Sequence, residues 1–499
     1  MRARNWFQLG HEVTTRARAA CLRRHFAILA PLLTLSRYAP PQVCLFRMSL
    51  HLGLNEDVLV PDDQPKIVAV RAYVTRAGDI GADGGASDVH DTEDTHWIQG
   101  QPPHHPPITN PMSPYPKYSE ARSSWGVANV PSVVVEIEQE DGLIGVGMST
   151  GGEAACFIIE HHLAMFVEGQ NVRNISYMWE QMWRASIHYG RKGMGVHAIS
   201  AVDIALWDLL GKVKGEPVYN LMGGKTKERV PCYATTSRPD LAKEMGFFGA
   251  KVPLIWGPHA GDVGMRKNVE ALAEWREKVG PDFPLMVDCY MALDVQYAAA
   301  LCKRLDDAGL NIKWLEECIM PDDYAAHKKL ADRMKCQGTG TFFATGEHEY
   351  TRWGFQQLID AGVGLLQPDV MWMGGPTEFM KIVALASASG VPVVPHGCGV
   401  YGYFMAMAFS ECPMAEFMIM SENADSIDPN FGNVFTNEPL PVDGYITLPH
   451  DKPGWGLELN REALGLVRPH PHDPEDPKHK APPAKPAGFG LNGRPAPKL

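Results

Sequence analysis

The chain has 499 residues, 45% hydrophobic and 21% charged, enough for two or three folded domains with real cores. Lys and Arg total 46 against 58 Asp and Glu, a net charge of −12 that argues against a nucleic-acid partner. Ten scattered cysteines with no C-x-x-C pair argue against a disulfide scaffold or zinc ribbon, and no run of roughly 20 uninterrupted apolar residues offers a membrane span.

Residues 1–47 hold eight Arg, no Lys and one acid, Glu12. That composition resembles a mitochondrial presequence, but the stretch has no amphipathic period. Met48 is therefore the expected working start, 1–47 an extension outside the functional protein, and the expected address cytoplasmic; the alternative is mitochondrial. At the other end, 468–499 is rich in Pro, Lys, His and Ala and is expected to be a disordered tail.

Between these ends the pattern starts with a strand, Ile67–Val74, followed by a polar stretch at 78–120 whose length suggests a lid, a binding loop or disorder. Two further strands, 132–139 and 143–149, flank Asp141-Gly142, a strong hairpin signal. Gly142, Gly145 and Gly147 superficially resemble a dinucleotide loop. They lie within a strand, so the match is rejected. Helical patterns follow at 153–168, 174–187 and 196–214, which completes an α+β unit over 66–229.

After 229 short apolar runs appear at 230–236, 248–254, 284–288, 313–316, 342–346, 364–368, 391–395 and 414–419. Helical patterns such as 263–279, 295–308, 322–335 and 376–389 separate most of them. Eight strands alternating with helices predict a parallel sheet, and eight is the number that closes a barrel; an open doubly wound sheet is the alternative.

What ends these strands is informative. The apolar runs stop at Asp288, Glu316, Glu347, Asp369, His396 and Glu416. One acid after a strand is usually a helix cap or a solvated loop residue. Six strands in succession ending in an acid or a His, on the face where barrel strands open together, predict one site. Asp288, Glu316 and Glu347 form an oxygen-rich set suited to a hard cation, Mg²⁺ above Zn²⁺. Asp369 and His396 sit on neighbouring strands, where the carboxylate can orient the imidazole and raise its basicity. A metal and a base together predict proton abstraction next to a carboxylate.

At these residues the chain resembles the enolase superfamily and its mandelate racemase-like subgroup, over about 66–467. The resemblance rests on Val287-Asp-Cys-Tyr290, Lys313-Trp-Leu-Glu-Glu-Cys318, Gly346-Glu-His348, Gln367-Pro-Asp-Val370, Val394-Pro-His-Gly397, Glu416 with Ser421 beyond it, and the helix Ala198–Asp208. It implies an α/β fold: a modified (β/α)₇β TIM barrel at 230–420 under an N-terminal α+β capping domain that a C-terminal segment, 421–467, completes. It implies Mg²⁺ on Asp288, Glu316 and Glu347, with His396 as general base and Asp369 as its partner. Glu416 would contact substrate and stabilise the transition state. His90 and Arg122 match substrate-contacting residues of cap loops. The implied activity is an acid-sugar dehydratase, with L-rhamnonate the expected substrate and 2-keto-3-deoxy-L-rhamnonate the product. Another aldonate, or a catalytically silent barrel used for binding or assembly, is the alternative. A homo-oligomer is expected, with neither nucleic acid nor membrane as partner.

Two details qualify the match. Many relatives carry Lys-x-Lys on the second strand, but here Lys251 is followed by Pro253, so no second base is expected and chemistry should be one-sided. For His348, strand alternation points the ring away from the face of Glu347, and packing is the favoured role.

Overall fold

The structure is a computed structural model and describes residues 64–75, 108–119, 131–462 and 464–473. Strands β1 (Ile67–Val74), β2 (Ser132–Gln139) and β3 (Ile144–Thr150) form an antiparallel sheet in that order. The hairpin turns where expected: Gly142 has φ 86, and the Asp141 carboxylate accepts the Leu143 N–H at 3.1 Å. The helix expected at 153–168 is α1 (Gly152–Ile158), which continues through a π turn at Ile159–Leu163 and a 3₁₀ turn. Then come α2 (Ile175–Ser186) and α3 (Met194–Lys214).

Helix α3 lies directly on this sheet. A Cβ at Gly145 or Gly147 would stand 2.2 Å from the carbonyl oxygen of Ala205 or Ala201, so these glycines serve close helix–sheet approach. By length and composition α3 is apolar enough to cross a membrane, yet 83% of its apolar window is buried within the protein. A helix buried over most of its surface needs cover on more than one side, and the second cover is the barrel.

The barrel runs β4 (Val230–Thr235), α4 (Pro239–Glu244), β5 (Ala250–Pro253), α5 (Gly261–Val279), β6 (Leu285–Asp288), α6 (Val295–Asp307), β7 (Ile312–Glu316), α7 (Tyr324–Gln337), β8 (Phe342–Thr345), α8 (Thr351–Asp360), β9 (Leu365–Leu366), α9 (Gly375–Ser389), α10 (Gly399–Ala408) and β10 (Ala415–Met418). Its parallel strands follow the order β10-β4-β5-β6-β7-β8-β9. The last strand pairs with the first, Glu416 opposite Tyr233, which rules out the open doubly wound alternative. The run at 391–395 shrinks to a single bridge, Val393 to Leu366. Among the described residues no helix follows β10, so the architecture is (β/α)₇β.

The C-terminal segment returns to the cap. Its short strand β11 (Tyr445–Ile446) pairs with β4, and the Trp455 N–H donates to Asp208 of α3 at 2.9 Å. Val467 then pairs with Val74 of β1. Asp203 of α3 accepts the Thr377 N–H at 2.8 Å and its hydroxyl at 2.7 Å, tying the cap to the start of α9. The tail expected to be disordered from 468 is ordered at its start. Arg468 makes a two-pronged pair with buried Glu160 at 2.6 and 2.7 Å, and His472 bonds the same carboxylate. Arg468 and His472 follow Glu160 because a buried carboxylate is costly without partners. The extension 1–47 lies outside the described residues.

Candidate active site

Side chains two apart on a strand face the same way, and in a barrel one set faces inward. Tyr233, Met286, Trp314, Ala344, Leu365 and Val394 form a small apolar cluster of their own, with Met414 against it. This is the filling of the cylinder. Two residues further on, on six of those strands, stand Thr235, Asp288, Glu316, Gln367, His396 and Glu416, all buried. The mouth is thus built by the same alternation that fills the barrel.

Lys251 of β5 is the hub of one half. Its Nζ contacts Glu316, lies 2.7 Å from Glu416 Oε1 and 3.3 Å from Asp288 Oδ2. Burial alone would neutralise this lysine, but those carboxylates push its pKa well above the ordinary value, so it stays an ammonium. It cannot act as a base, and Pro253 stands in register with Asp288 where a second lysine would be. Glu316 also accepts from Trp314 Nε1 at 3.0 Å and Gln367 Nε2 at 2.5 Å. Burial, with Asp288 and Glu416 nearby, raises Glu316 to about 8 despite Lys251. Glu416 goes the other way. Burial would raise it, but Lys251 and His396 hold it at about 2, and it accepts from the Thr235 hydroxyl and from the Gly397 N–H at 2.9 Å. It is an ionised acceptor with no proton to donate.

The other half holds two carboxylate–imidazole pairs. Asp369 Oδ2 meets His396 Nδ1 at 2.8 Å, as the sequence predicted, and its Oδ1 is fixed by the Met371 N–H at 2.7 Å. His396 Nε2 lies 3.3 Å from Glu347 Oε1. Burial would lower His396, but Glu347, the Asp369 bond and Glu416 raise it to about 10. Glu347 rises to about 7, through burial and repulsion from Glu317 and Asp288.

Glu317 was missed by sequence reasoning. Alternation turns it away from Glu316's face, but its φ of 45 reverses the chain, and its buried carboxylate meets His348 Nδ1 at 3.0 Å through both oxygens. His348 likewise departs from expectation. Gly346, at φ 140, ends the strand geometry, so the ring reaches within 4.0 Å of Glu347 instead of turning from it. The expected ligands are thus distributed: Asp288 and Glu316 share Lys251, while Glu347 Oε1 lies within 4.0 Å of both imidazoles. Among the described residues, the three potential ligand atoms within 4.8 Å of one another belong to Glu317, Glu347 and His348. His90 and Arg122 lie outside the described residues, as does most of the 78–120 loop. From its end, the Thr109 N–H donates to Leu254 O beside the mouth at 3.0 Å.

The donor chemistry fits a hard divalent cation. Six buried carboxylates (Asp288, Glu316, Glu317, Glu347, Asp369, Glu416) face one lysine and two imidazoles, a surplus of negative charge that oxygen-loving Mg²⁺ would neutralise.

Comparisons with known proteins agree with this architecture. Residues 118–223 match the mandelate racemase / muconate lactonizing enzyme N-terminal domain, and 238–463 match the enolase C-terminal domain-like family. The chain is 46% identical over 391 residues to an L-rhamnonate dehydratase from Saccharopolyspora erythraea, covering 78% of this chain and 97% of that one. The crystal structure of a rhamnonate dehydratase from Gibberella zeae complexed with Mg superposes with a TM-score of 0.75 at 45% identity, over 81% of this chain and 96% of the other. A racemase from Streptomyces coelicolor A3(2) with bound magnesium gives 0.63 at 26%, over 80% and 100%.

Proposed function

The chain belongs to the mandelate racemase / muconate lactonizing enzyme family of the enolase superfamily, and on that premise we propose that it is a Mg²⁺-dependent hydro-lyase that dehydrates L-rhamnonate to 2-keto-3-deoxy-L-rhamnonate. The observation that carries this reading is the Asp369–His396 pair at 2.8 Å, set 3.3 Å from Glu347 at the rim of a carboxylate-lined barrel.

Asp288, Glu316 and Glu347 are the proposed metal ligands. Bound Mg²⁺ supplies Lewis-acid stabilisation of the negative charge that develops on the substrate carboxylate when its α-proton leaves. His396 removes the C2 proton through Nε2, since Nδ1 is committed to Asp369. Asp369 fixes the ring and stabilises the imidazolium that forms. The same imidazolium then protonates the departing C3 hydroxyl, and the enol tautomerises to the 2-keto acid. Glu347 contributes most among the charges that hold a proton on His396, so committing its charge to a cation favours the neutral ring a base requires.

Glu416, ionised, accepts a hydrogen bond from a substrate hydroxyl, and His90 and Arg122 complete the binding set from the cap. Lys251, locked as an ammonium, keeps the opposite side free of a second base, which favours elimination over two-base racemisation. The deciding experiment assays release of 2-keto acid from a panel of aldonates with Mg²⁺. Rapid turnover of L-rhamnonate is expected; no turnover of it with rapid turnover of another aldonate refutes the substrate, and silence on the whole panel refutes the reaction.

A further inference from the structure

Among the charged side chains of the mouth, Lys251, Asp288, Glu316, Glu317, Asp369 and Glu416 are almost wholly sealed. His396 and Glu347 keep a sliver of exposure, 11% and 9% of their side chains, and His348 is the most open at 21%. The proposed reaction employs His396 and Glu347 and leaves His348 without a task.

His348 is nonetheless mounted in the same way as His396. Each imidazole is held at Nδ1 by a buried carboxylate, Glu317 at 3.0 Å in one case and Asp369 at 2.8 Å in the other. Each ring packs at a tilt against Trp372, at 5.4 and 5.6 Å between centroids. Both rings approach the same oxygen, Glu347 Oε1, His348 through Nδ1 at 4.0 Å and His396 through Nε2 at 3.3 Å. Glu317 reaches this position through a left-handed backbone, unfavourable for a residue with a Cβ, and buries its carboxylate there. Two unfavourable features converge on orienting one ring, which is more than packing requires.

A carboxylate only accepts, so Nδ1 carries the hydrogen of that bond. Among the described residues His348 Nε2 has no hydrogen-bond partner. In the neutral ring Nε2 accepts; in the charged ring it donates. An alcohol satisfies either state.

We infer that His348 is a substrate-binding residue: clamped at Nδ1 by Glu317, it offers Nε2 to the C4 or C5 hydroxyl of the acid sugar. Glu317 is then its positioning residue, and Trp372 is the common wall beside both imidazoles. The inference rests on the dehydratase reading and adds a contact from the barrel side to those proposed from the cap.

The test compares wild type, His348→Phe and His348→Gln on L-rhamnonate and on its 4-deoxy and 5-deoxy derivatives, with Mn²⁺ binding followed by electron paramagnetic resonance. His348→Phe keeps a ring against Trp372 but loses the polar atom, and should raise KM for L-rhamnonate roughly tenfold or more with a much smaller change in kcat. His348→Gln should recover part of that loss. On the derivative lacking the bonded hydroxyl, the ratio of variant to wild type should fall towards one, whereas Mn²⁺ affinity should hold throughout. Equal losses on all three substrates, no loss at all, or a fall in Mn²⁺ affinity that tracks KM overturns the inference. Should the Phe variant fold poorly, the Gln variant carries the same substrate comparison. Wild type inactive on every aldonate overturns the dehydratase reading and this with it; an active wild type and an indifferent variant overturn this alone.

Discussion

Two layers of the barrel, one pleat apart on the same strands, solve opposite problems. The lower layer, Tyr233, Met286, Trp314, Ala344, Leu365 and Val394, is apolar and packs as a core. The layer above it, among them Asp288, Glu316, Gln367, His396 and Glu416, crowds acids around one ammonium and an imidazole. The lower layer gains from burial, while the upper one is held in a strained electrostatic state by the layer beneath and by the strands themselves. Stability and chemistry are separated by a step of two residues, which is why an acid can be fully buried here without unfolding the protein.

The sharpest way to break this contrast is on the chemical side. His396→Asn should lower kcat by roughly 10²–10⁴-fold or more while the melting temperature stays near that of wild type; near-normal turnover would remove His396 as the base. Lys251→Met tests whether the upper layer depends on its ammonium. It leaves Asp288, Glu316 and Glu416 without their shared cation, and a loss of about 3–5 kcal/mol in urea unfolding is expected, partly recovered by added Mg²⁺. An unchanged unfolding midpoint without metal would show the carboxylates to be indifferent to it.

Trp314→Phe probes the joint between layers, because Trp314 packs in the lower one and donates to Glu316 in the upper one at 3.0 Å. The expectation is a loss of about 1–2 kcal/mol, since one hydrogen bond to a buried carboxylate goes while most of the volume remains, along with weaker Mg²⁺ binding by calorimetric titration. Identical Mg²⁺ isotherms would separate the two layers. The smallest effect is expected far from the barrel, at His472 on Glu160. There the histidine is raised from 6.5 to about 9, by its bonds to Glu160 and Glu168. A pKa raised on folding stabilises fully below pH 6.5 and less as pH climbs through 9. Hydrogen exchange around 464–473 should therefore accelerate between pH 6.5 and 9 beyond its intrinsic increase, and His472→Ala should abolish that excess.

The contrast between layers also explains what the sequence revealed. Strands covered on both faces read as apolar runs, so their ends, where Asp288, Glu316, His396 and Glu416 stand, were visible as abrupt changes of polarity. The pairing of Asp369 with His396 followed from neighbouring strands. Where the backbone leaves the strand, the same reasoning lost its footing. Gly346 at φ 140 and Glu317 at φ 45 each cancel the two-residue period, and so Glu317 and the true setting of His348 escaped. Val393, reduced to one bridge, still read as a strand because burial rather than pairing sets the apolar pattern. The order in 468–473 was hidden because its anchor, Glu160, lies some three hundred residues upstream.

Helix α3 has a consequence for how the chain is made. It precedes the barrel in sequence, yet its Asp203, Trp207 and Ser200 bond to residues 374–377, near the start of α9. Until that stretch leaves the ribosome, a 21-residue helix that is mostly buried in the finished fold has one flank bare. Nascent or prematurely terminated chains that stop before residue 375 should thus be the sticky species, captured by chaperones or lost to aggregation, whereas chains that run past it can seal that flank.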